Sequence, residues 1–245
     1  MEALGQAFLA VWGALGFDVD LMARYGPRLL SGLGVTLEIV ALAAPLGCAL
    51  AIPLAVCRLE GGPIARNLAL GFSTFFRGTP LLAQTFLVYY GAGQFRSAFE
   101  TIGLWWLVRD AFWCVILTFT LNTAAYQSEI IRGGVRALPA GQREAASALG
   151  LGPFALYARV LLPQALIGGL RPLGNELVLL VKASSIASAV TVFDLLGATR
   201  YVYGRTLDFS VYLWAALLYL ALVEIIRRAV NAIERRAGRR FAAVS

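Results

Sequence analysis

The chain has 245 residues, 59% of them hydrophobic and only 14% charged, with a mean hydropathy of +0.73; it is more apolar than a soluble domain, so a membrane protein is expected. The net charge of +7 is not gathered into a basic patch interleaved with aromatics, which argues against a nucleic-acid partner. With no His and Lys182 as the only lysine, there is no histidine triad, no histidine metal site and no Gly-Lys phosphate loop, so nucleotide-hydrolysing chemistry is not expected here.

Residues 1–27 read as an extracytoplasmic or interfacial N-terminal segment. Glu2 stands where a leader carries positive charge, and no Arg precedes Arg24, so a signal peptide is not expected. Residues 3–17 are expected to lie along the membrane surface as a short apolar helix. A span needs about 20 mainly apolar residues. Five stretches qualify, at about 30–57, 67–92, 111–131, 164–182 (with Pro172 inside) and 208–229. The expected fold class is therefore all-α: a polytopic membrane protein with about five transmembrane helices and a long cytoplasmic loop over 133–163. Residues 237–245 form a cytoplasmic tail. Cys48, Cys57 and Cys114 lie in or beside apolar runs and read as small core residues. Trp105, Trp106 and Trp113 read as interfacial aromatics.

Orientation follows from the basic residues. With the C-terminus cytoplasmic, that side holds twelve arginines, including Arg58, Arg66, Arg132, Arg143 and the tail pairs, against seven Lys or Arg residues outside. The excess belongs inside. Five spans then put the N-terminus outside and the 133–163 loop in the cytoplasm. A bundle this small does not enclose a solute path alone, so a second, similar chain is expected.

Two polar interruptions stand out within the apolar sequence. In the second span, Arg77-Gly78-Thr79-Pro80 predicts a kink, because Pro80 donates no hydrogen bond and frees the carbonyl of Phe76. Such a carbonyl must face protein or water. The kink either lines a path or only shapes packing, with Arg77 reaching the headgroups. The loop predicts two short helices and a hinge: Pro139 at a first helical position, Gly150 as a left-handed stop, Gly152-Pro153 as a restart and Pro163 as the end. Ala145 and Ala146 let another surface approach closely, beside Arg143 and Glu144. The loop is suited to docking and carries no chemistry of its own.

Intramembrane acids are costly and mark candidate sites. Glu38, Glu129 and Glu176 qualify, whereas Glu224 has Arg227 and Arg228 nearby. Glu129 has Arg132 three residues on, a ready local partner. Counted from Gln164 at about 1.5 Å per residue, Glu176 lies roughly 18 Å into its helix, near mid-membrane. Arg171 is about 140° around the helix from it. Its counter-charge is a cationic solute, Arg77, or a residue of a neighbouring subunit.

The run Glu144-Ala145-Ala146, three residues, Gly150, nine residues, Val160, one residue, then Leu162-Pro163 resembles the cytoplasmic signature of ABC importer permeases. In that family it is the coupling helix, seated in a groove of the ATPase subunit. The resemblance assigns Glu144, Ala145, Ala146, Gly150 and Pro163 to ATPase coupling. Arg77-Gly78-Thr79-Pro80 followed by Leu81-Leu82-X-Gln84 resembles the polar amino acid branch. So do Asn122-Thr123-Ala124-Ala125-Tyr126 with Ser128-Glu129-Ile130, Gly174-Asn175-Glu176 with Ser184-Ser185, Val192 to Leu196, and Thr199-Arg200. Ala183 departs from the pattern, since many relatives carry Asp or Asn there.

The likeness covers about 28–236 and is nearest to permeases for histidine, lysine, arginine and opines such as octopine or nopaline. It implies movement of cationic amino acids or opines across the inner membrane. Glu176, Asn175, Glu129, Asn122, Thr123, Tyr126, Glu38, Ser184 and Ser185 are the implied path, with the break at Lys182–Ser185 offering backbone donors to a solute carboxylate. The implied partners are two ATPase subunits holding ATP and Mg, a second permease chain (itself or a paralogue), an extracytoplasmic solute-binding protein and lipid. No cofactor is expected on this chain. An ion-coupled secondary transporter is the alternative that the intramembrane acids leave open.

Overall fold

Lipid offers no water to a bare backbone, so apolar stretches must satisfy their own hydrogen bonds, and helices do this locally. The computed structural model describes the backbone of Gly13 and of residues 19–242, and the side chains of residues 20–236. Among these, all regular structure is helical. The surface helix expected over 3–17 lies outside the described residues.

Helix α1 (Val19–Glu60) starts well before the expected 30 and keeps Pro27, Pro45 and Pro53 inside it. The expected second span is split into α2 (Pro63–Gly78) and α3 (Leu81–Gly91). A 3-10 turn and two short helices, α4 (Arg96–Thr101) and α5 (Trp105–Val108), lead to α6 (Ala111–Arg136). Asp110 caps α6, accepting from Phe112 N at 2.9 Å, the usual service of an aspartate before a first turn. The loop then forms α7 (Gly141–Ala148), α8 (Pro153–Leu156), a π segment (Tyr157–Leu161) and α9 (Leu162–Gly168). The chain ends with α10 (Leu170–Ala183), a 3-10 stretch (Ser184–Val190), α11 (Leu195–Thr206) and α12 (Ser210–Ala242).

Three described helical runs are long and apolar enough to cross a membrane: Asp20–Glu60, Leu170–Val190 and Ser210–Arg236. The other two expected spans fall short for physical reasons. One is broken between α2 and α3, and the other, α6, carries Asn122, Gln127 and Glu129 among its apolar residues.

α6 is the centre of the bundle, and α1 packs along it. Ile39, Val40 and Ala43 of α1 meet Val115, Ile116 and Phe119 of α6, Leu180 and Val181 of α10 and Leu222 of α12 in the main apolar cluster. The α1–α6 approach is so close at Gly47 that a Cβ there would collide with the Thr123 methyl group. Small residues at helix crossings serve this purpose in lipid, where hydrophobic driving force between helices is absent.

Three local expectations need correction. Pro163 does not end a helix. The π segment just before it, closed by Leu162 N bonding to Tyr157 O, widens the turn so that the missing donor is absorbed and α9 continues. Pro139 precedes the first residue of α7 by two positions, and Ala140 is the cap. No backbone break occurs at Lys182–Ser185. Ser184 Oγ donates to Val181 O and Ser185 Oγ to Lys182 O, each at 2.8 Å, and the helix tightens to 3-10 instead of opening. The chain turns only at Thr191, where φ is 65°.

Candidate functional site

The break after Gly78 is pinned by side chains from its own chain neighbours and from α6. Thr79 is extended (φ −116°, ψ 149°) and Pro80 starts α3, so the Phe76 carbonyl lacks a helical partner. Two amides take it: Gln84 Nε2 donates at 2.9 Å and Asn122 Nδ2 at 2.8 Å. Asn122 also donates to Gln84 Oε1 at 3.1 Å, and Gln84 reaches Thr79 Oγ1 at 2.7 Å. Tyr126 Oη donates to the Arg77 carbonyl at 3.4 Å, and the exposed Arg77 guanidinium lies 5.3 Å from the Tyr126 ring. The carbonyl freed by Pro80 is thus satisfied inside the protein, which fixes the angle between α2 and α3.

One turn further along α6 a second relay begins. Gln127 Nε2 donates to Thr123 Oγ1 at 3.0 Å, and Thr123 Oγ1 donates to Glu176 Oε1 at 3.1 Å. Glu176 is 9% exposed. Among the described residues no Lys or Arg forms an ion pair with it. Arg77 attracts it electrostatically, and Arg171 turns away to Glu234 at 3.0 Å. A small cavity of about 180 Å³ beside the relay is lined by Ala44, Cys48, Thr123, Gln127, Leu173 and others. Two neighbouring clusters, Asn122 and Tyr126 against the break and Thr123 and Gln127 against Glu176, thus make up a polar seam along α6.

Other expected path residues sit elsewhere. Asn175 is exposed and faces a groove with Arg171, Arg227 and Asn231, about 100° around the helix from Glu176. Glu129 gives one oxygen to Arg58 and the other to Arg132 at 2.6 Å, so both its oxygens are committed near the end of α1. Glu38 is exposed on the face of α1 that also carries Leu37 and Leu42. Ser184 and Ser185 are held by their own helix, as described above.

In the 133–163 loop the expected helix stop is present. Gly150 has φ +67°, and Leu151 N bonds to Ala146 O while Gly150 N bonds to Ser147 O, both at 3.0 Å. This pair of bonds is the stop that a left-handed glycine makes possible. Glu144 and Ala145 are exposed, whereas Ala146 is buried. The exposed apolar residues of this loop are Leu149 (79% exposed) and Phe154 (86% exposed), together with Pro163.

Sequence reading gave several of these residues no role of their own. Gln84 sits one turn after Pro80, the position from which a side chain can reach a carbonyl freed by proline. Asp194 lies just before a helix and carries the ordinary capping signal. Its Oδ1 accepts from Gly197 N at 2.9 Å and its Oδ2 from Tyr219 Oη at 3.1 Å, tying α11 to α12. The partnership of Arg58 with Glu129 left no local signal at all.

A profile of the family described as "Binding-protein-dependent transport system inner membrane component" matches residues 43–239. The nopaline transport system permease protein of Agrobacterium fabrum is 37% identical over 218 residues, covering 89% of this chain and 90% of the relative. The arginine ABC transporter permease protein of Escherichia coli K12 is 35% identical over 216 residues, covering 88% and 97%. A crystal structure of an amino acid ABC transporter with histidines superposes with a TM-score of 0.76 at 30% identity, over 90% of this chain and 99% of that one. These relatives are permeases of ABC systems, which decides against the ion-coupled alternative.

Proposed function

The chain belongs to the family of binding-protein-dependent transport system inner membrane components, and we propose that it is the permease of an importer for cationic amino acids or opines. It is a multi-pass protein of the bacterial inner membrane and works in a complex with ATPase and binding-protein partners. The fuller reading has five spans, the N-terminus outside and the C-terminus cytoplasmic. Residues 28–236 are the transmembrane domain, between the segment 1–27 and the tail 237–245. Two ATPase subunits, a second permease chain (itself or a paralogue) and one extracytoplasmic binding protein complete the assembly. ATP and Mg belong to the ATPase partners, and this chain binds no cofactor.

Glu176 carries the assignment of solute charge. A carboxylate 9% exposed within the spanning run Leu170–Val190 costs several kcal/mol if left unpaired in apolar surroundings. Its hydrogen bonds come from the neutral Thr123–Gln127 relay, and a solute cation supplies the missing charge. Arg77, exposed and stacked on Tyr126, is the group placed to take the solute's own carboxylate. Closure of the ATPases moves the Glu144–Pro163 loop and exchanges inward-open for outward-open states as a rigid-body change.

Uptake by the reconstituted complex tests this. ATP inside the vesicles should drive arginine accumulation that survives collapse of the proton gradient. Glu176→Gln should leave an assembled complex whose arginine uptake is lost. Unchanged uptake in an assembled mutant complex removes Glu176 from the path, and failure to assemble makes it a structural residue.

A further inference from the structure

The docking helix α7 is joined to the end of α1 by a charged clamp that no motif announces, beside a longer 3.4 Å bond from Gln164 of α9 to Gln142. Arg143, the residue before Glu144, lies along the surface, its side chain 41% exposed, and its Nη1 donates to Glu60 Oε1 at 2.6 Å. Glu60 is the last residue of α1. Tyr157 Oη donates to the same Glu60 oxygen at 2.7 Å and accepts from Arg143 Nη2 at 3.0 Å. The three groups close a triangle, with the guanidinium 5.7 Å from the Tyr157 ring centre. One corner belongs to the docking helix, one to α1 and one to the π segment.

Beneath the triangle the Tyr157 ring is buried in an apolar cluster. Val56 and Leu59 of α1, Val135 of α6, Leu161 of the π segment and Ala165 of α9 meet there. Burial, and then the hydrogen bond to Glu60, pushes the Tyr157 hydroxyl up to about 12, so it stays a neutral donor across the physiological range. Elsewhere α7 is held by the Gln142–Gln164 bond and by Ala146. Its outward residues are Glu144, Ala145, Ser147 and Ala148, and Ala146 is its sole buried side chain. A π turn is a common place for a helix to be adapted to function, and here it places the Tyr157 hydroxyl against both charges.

We infer that the Glu60–Arg143–Tyr157 triangle is the strut through which displacement of the docking helix is delivered to α1, making Glu60 and Tyr157 positioning residues for coupled transport. A push on α7 passes through Arg143 to the end of α1 and through Tyr157 to the α6 end. The strut thus moves two helices that carry the polar seam: α1 supplies the Ala44 carbonyl to Gln127, and α6 supplies Thr123. Without it, α7 can follow the ATPase while the seam stays still.

This rests on the importer reading, and the test keeps the two apart. The full complex is reconstituted with its ATPase and binding protein, and arginine moved per ATP hydrolysed is measured. Glu60→Gln and Tyr157→Phe should each lower that ratio roughly fivefold or more, the scale of an ordinary coupling free energy, while the ATPase stays bound. The exchanged pair Glu60→Arg with Arg143→Glu should restore most of the yield, which a loss of general stability would not allow. A wild-type ratio in Glu60→Gln, or an exchanged pair as poor as the single variants, overturns the strut alone. Release of the ATPase in Glu60→Gln overturns it too, since the triangle would then shape the docking surface and transmit nothing. No ATP-driven uptake by the unmodified complex overturns the importer reading and the strut with it.

Discussion

The two ends of α1 handle charge in opposite ways. At the Glu60 end, arginines are paired with acids of the same chain: Arg58 and Arg132 with Glu129, and Arg143 with Glu60. Glu224 likewise holds Arg227 and Arg228 on α12. Arg28, 32 residues earlier on α1 and so about 48 Å away, lies 4.0 Å from the Tyr201 ring centre and 5.6 Å from that of Phe193. Arg205 sits over the same tyrosine at 5.4 Å, and Arg24 over Tyr25 at 5.5 Å. Among the described residues none of these three arginines forms an ion pair. Ion pairs between separate helices fix where those helices stand, which is what the importer reading asks of the end proposed to face the ATPase. Stacking over a ring orients a guanidinium while leaving its N–H groups free for water, headgroups or another protein.

The contrast can be broken from the paired end first. Glu129→Ala leaves two arginines, 16% and 19% exposed, without their acid. The loss should cost about 3 kcal/mol, the scale of breaking a buried pair. A thermal melt of the purified permease should show it as the largest drop of the set, and a melt like that of the wild type would mean that the pairs hold nothing together.

Next in size is Gly150→Val. A β-branched residue at φ +67° should cost about 1–2 kcal/mol, with no clash, because the space around a Cβ there is open. ATPase attachment, or the yield of solute per ATP, should fall while the protein still inserts. Full coupling in this variant would show that the stop after α7 is dispensable.

Between the two ends, Asn122→Ala removes one of the two amides on the Phe76 carbonyl and should cost about 1 kcal/mol. Gln84→Ala should cost about the same, and the double variant should cost more than the sum, because the carbonyl then has no partner. Additive losses in that cycle would mean that the amides act independently and the break is held by other contacts. The smallest effect is expected at the stacked end. Arg28→Ala should cost only about 0.5–1 kcal/mol, and a melt shifted as far as that of Glu129→Ala would erase the difference between the ends.

What the sequence determined by itself is local. The carbonyl freed by Pro80, the left-handed Gly150, the restart at Pro153 and the Glu129–Arg132 pair all depend on atoms within one or two helical turns. Backbone geometry then leaves few choices. The helical class follows similarly from apolar length, since lipid permits little else. The tertiary structure decided what depends on how helices are rotated and which neighbour each one meets. It joined Arg58 to Glu129 across 71 residues, Asn122 to the Phe76 carbonyl across 46 and Thr123 to Glu176 across 53. It turned Ala146 inward while leaving Ala145 out, and it buried Glu176 while leaving the adjacent Asn175 exposed. Even the continuation of the helix through Pro163 was decided this way, because a π turn just before a proline depends on what the widened turn can pack against. Here Tyr157 reaches both Glu60 and Arg143, and those partners lie 97 and 14 residues away along the chain.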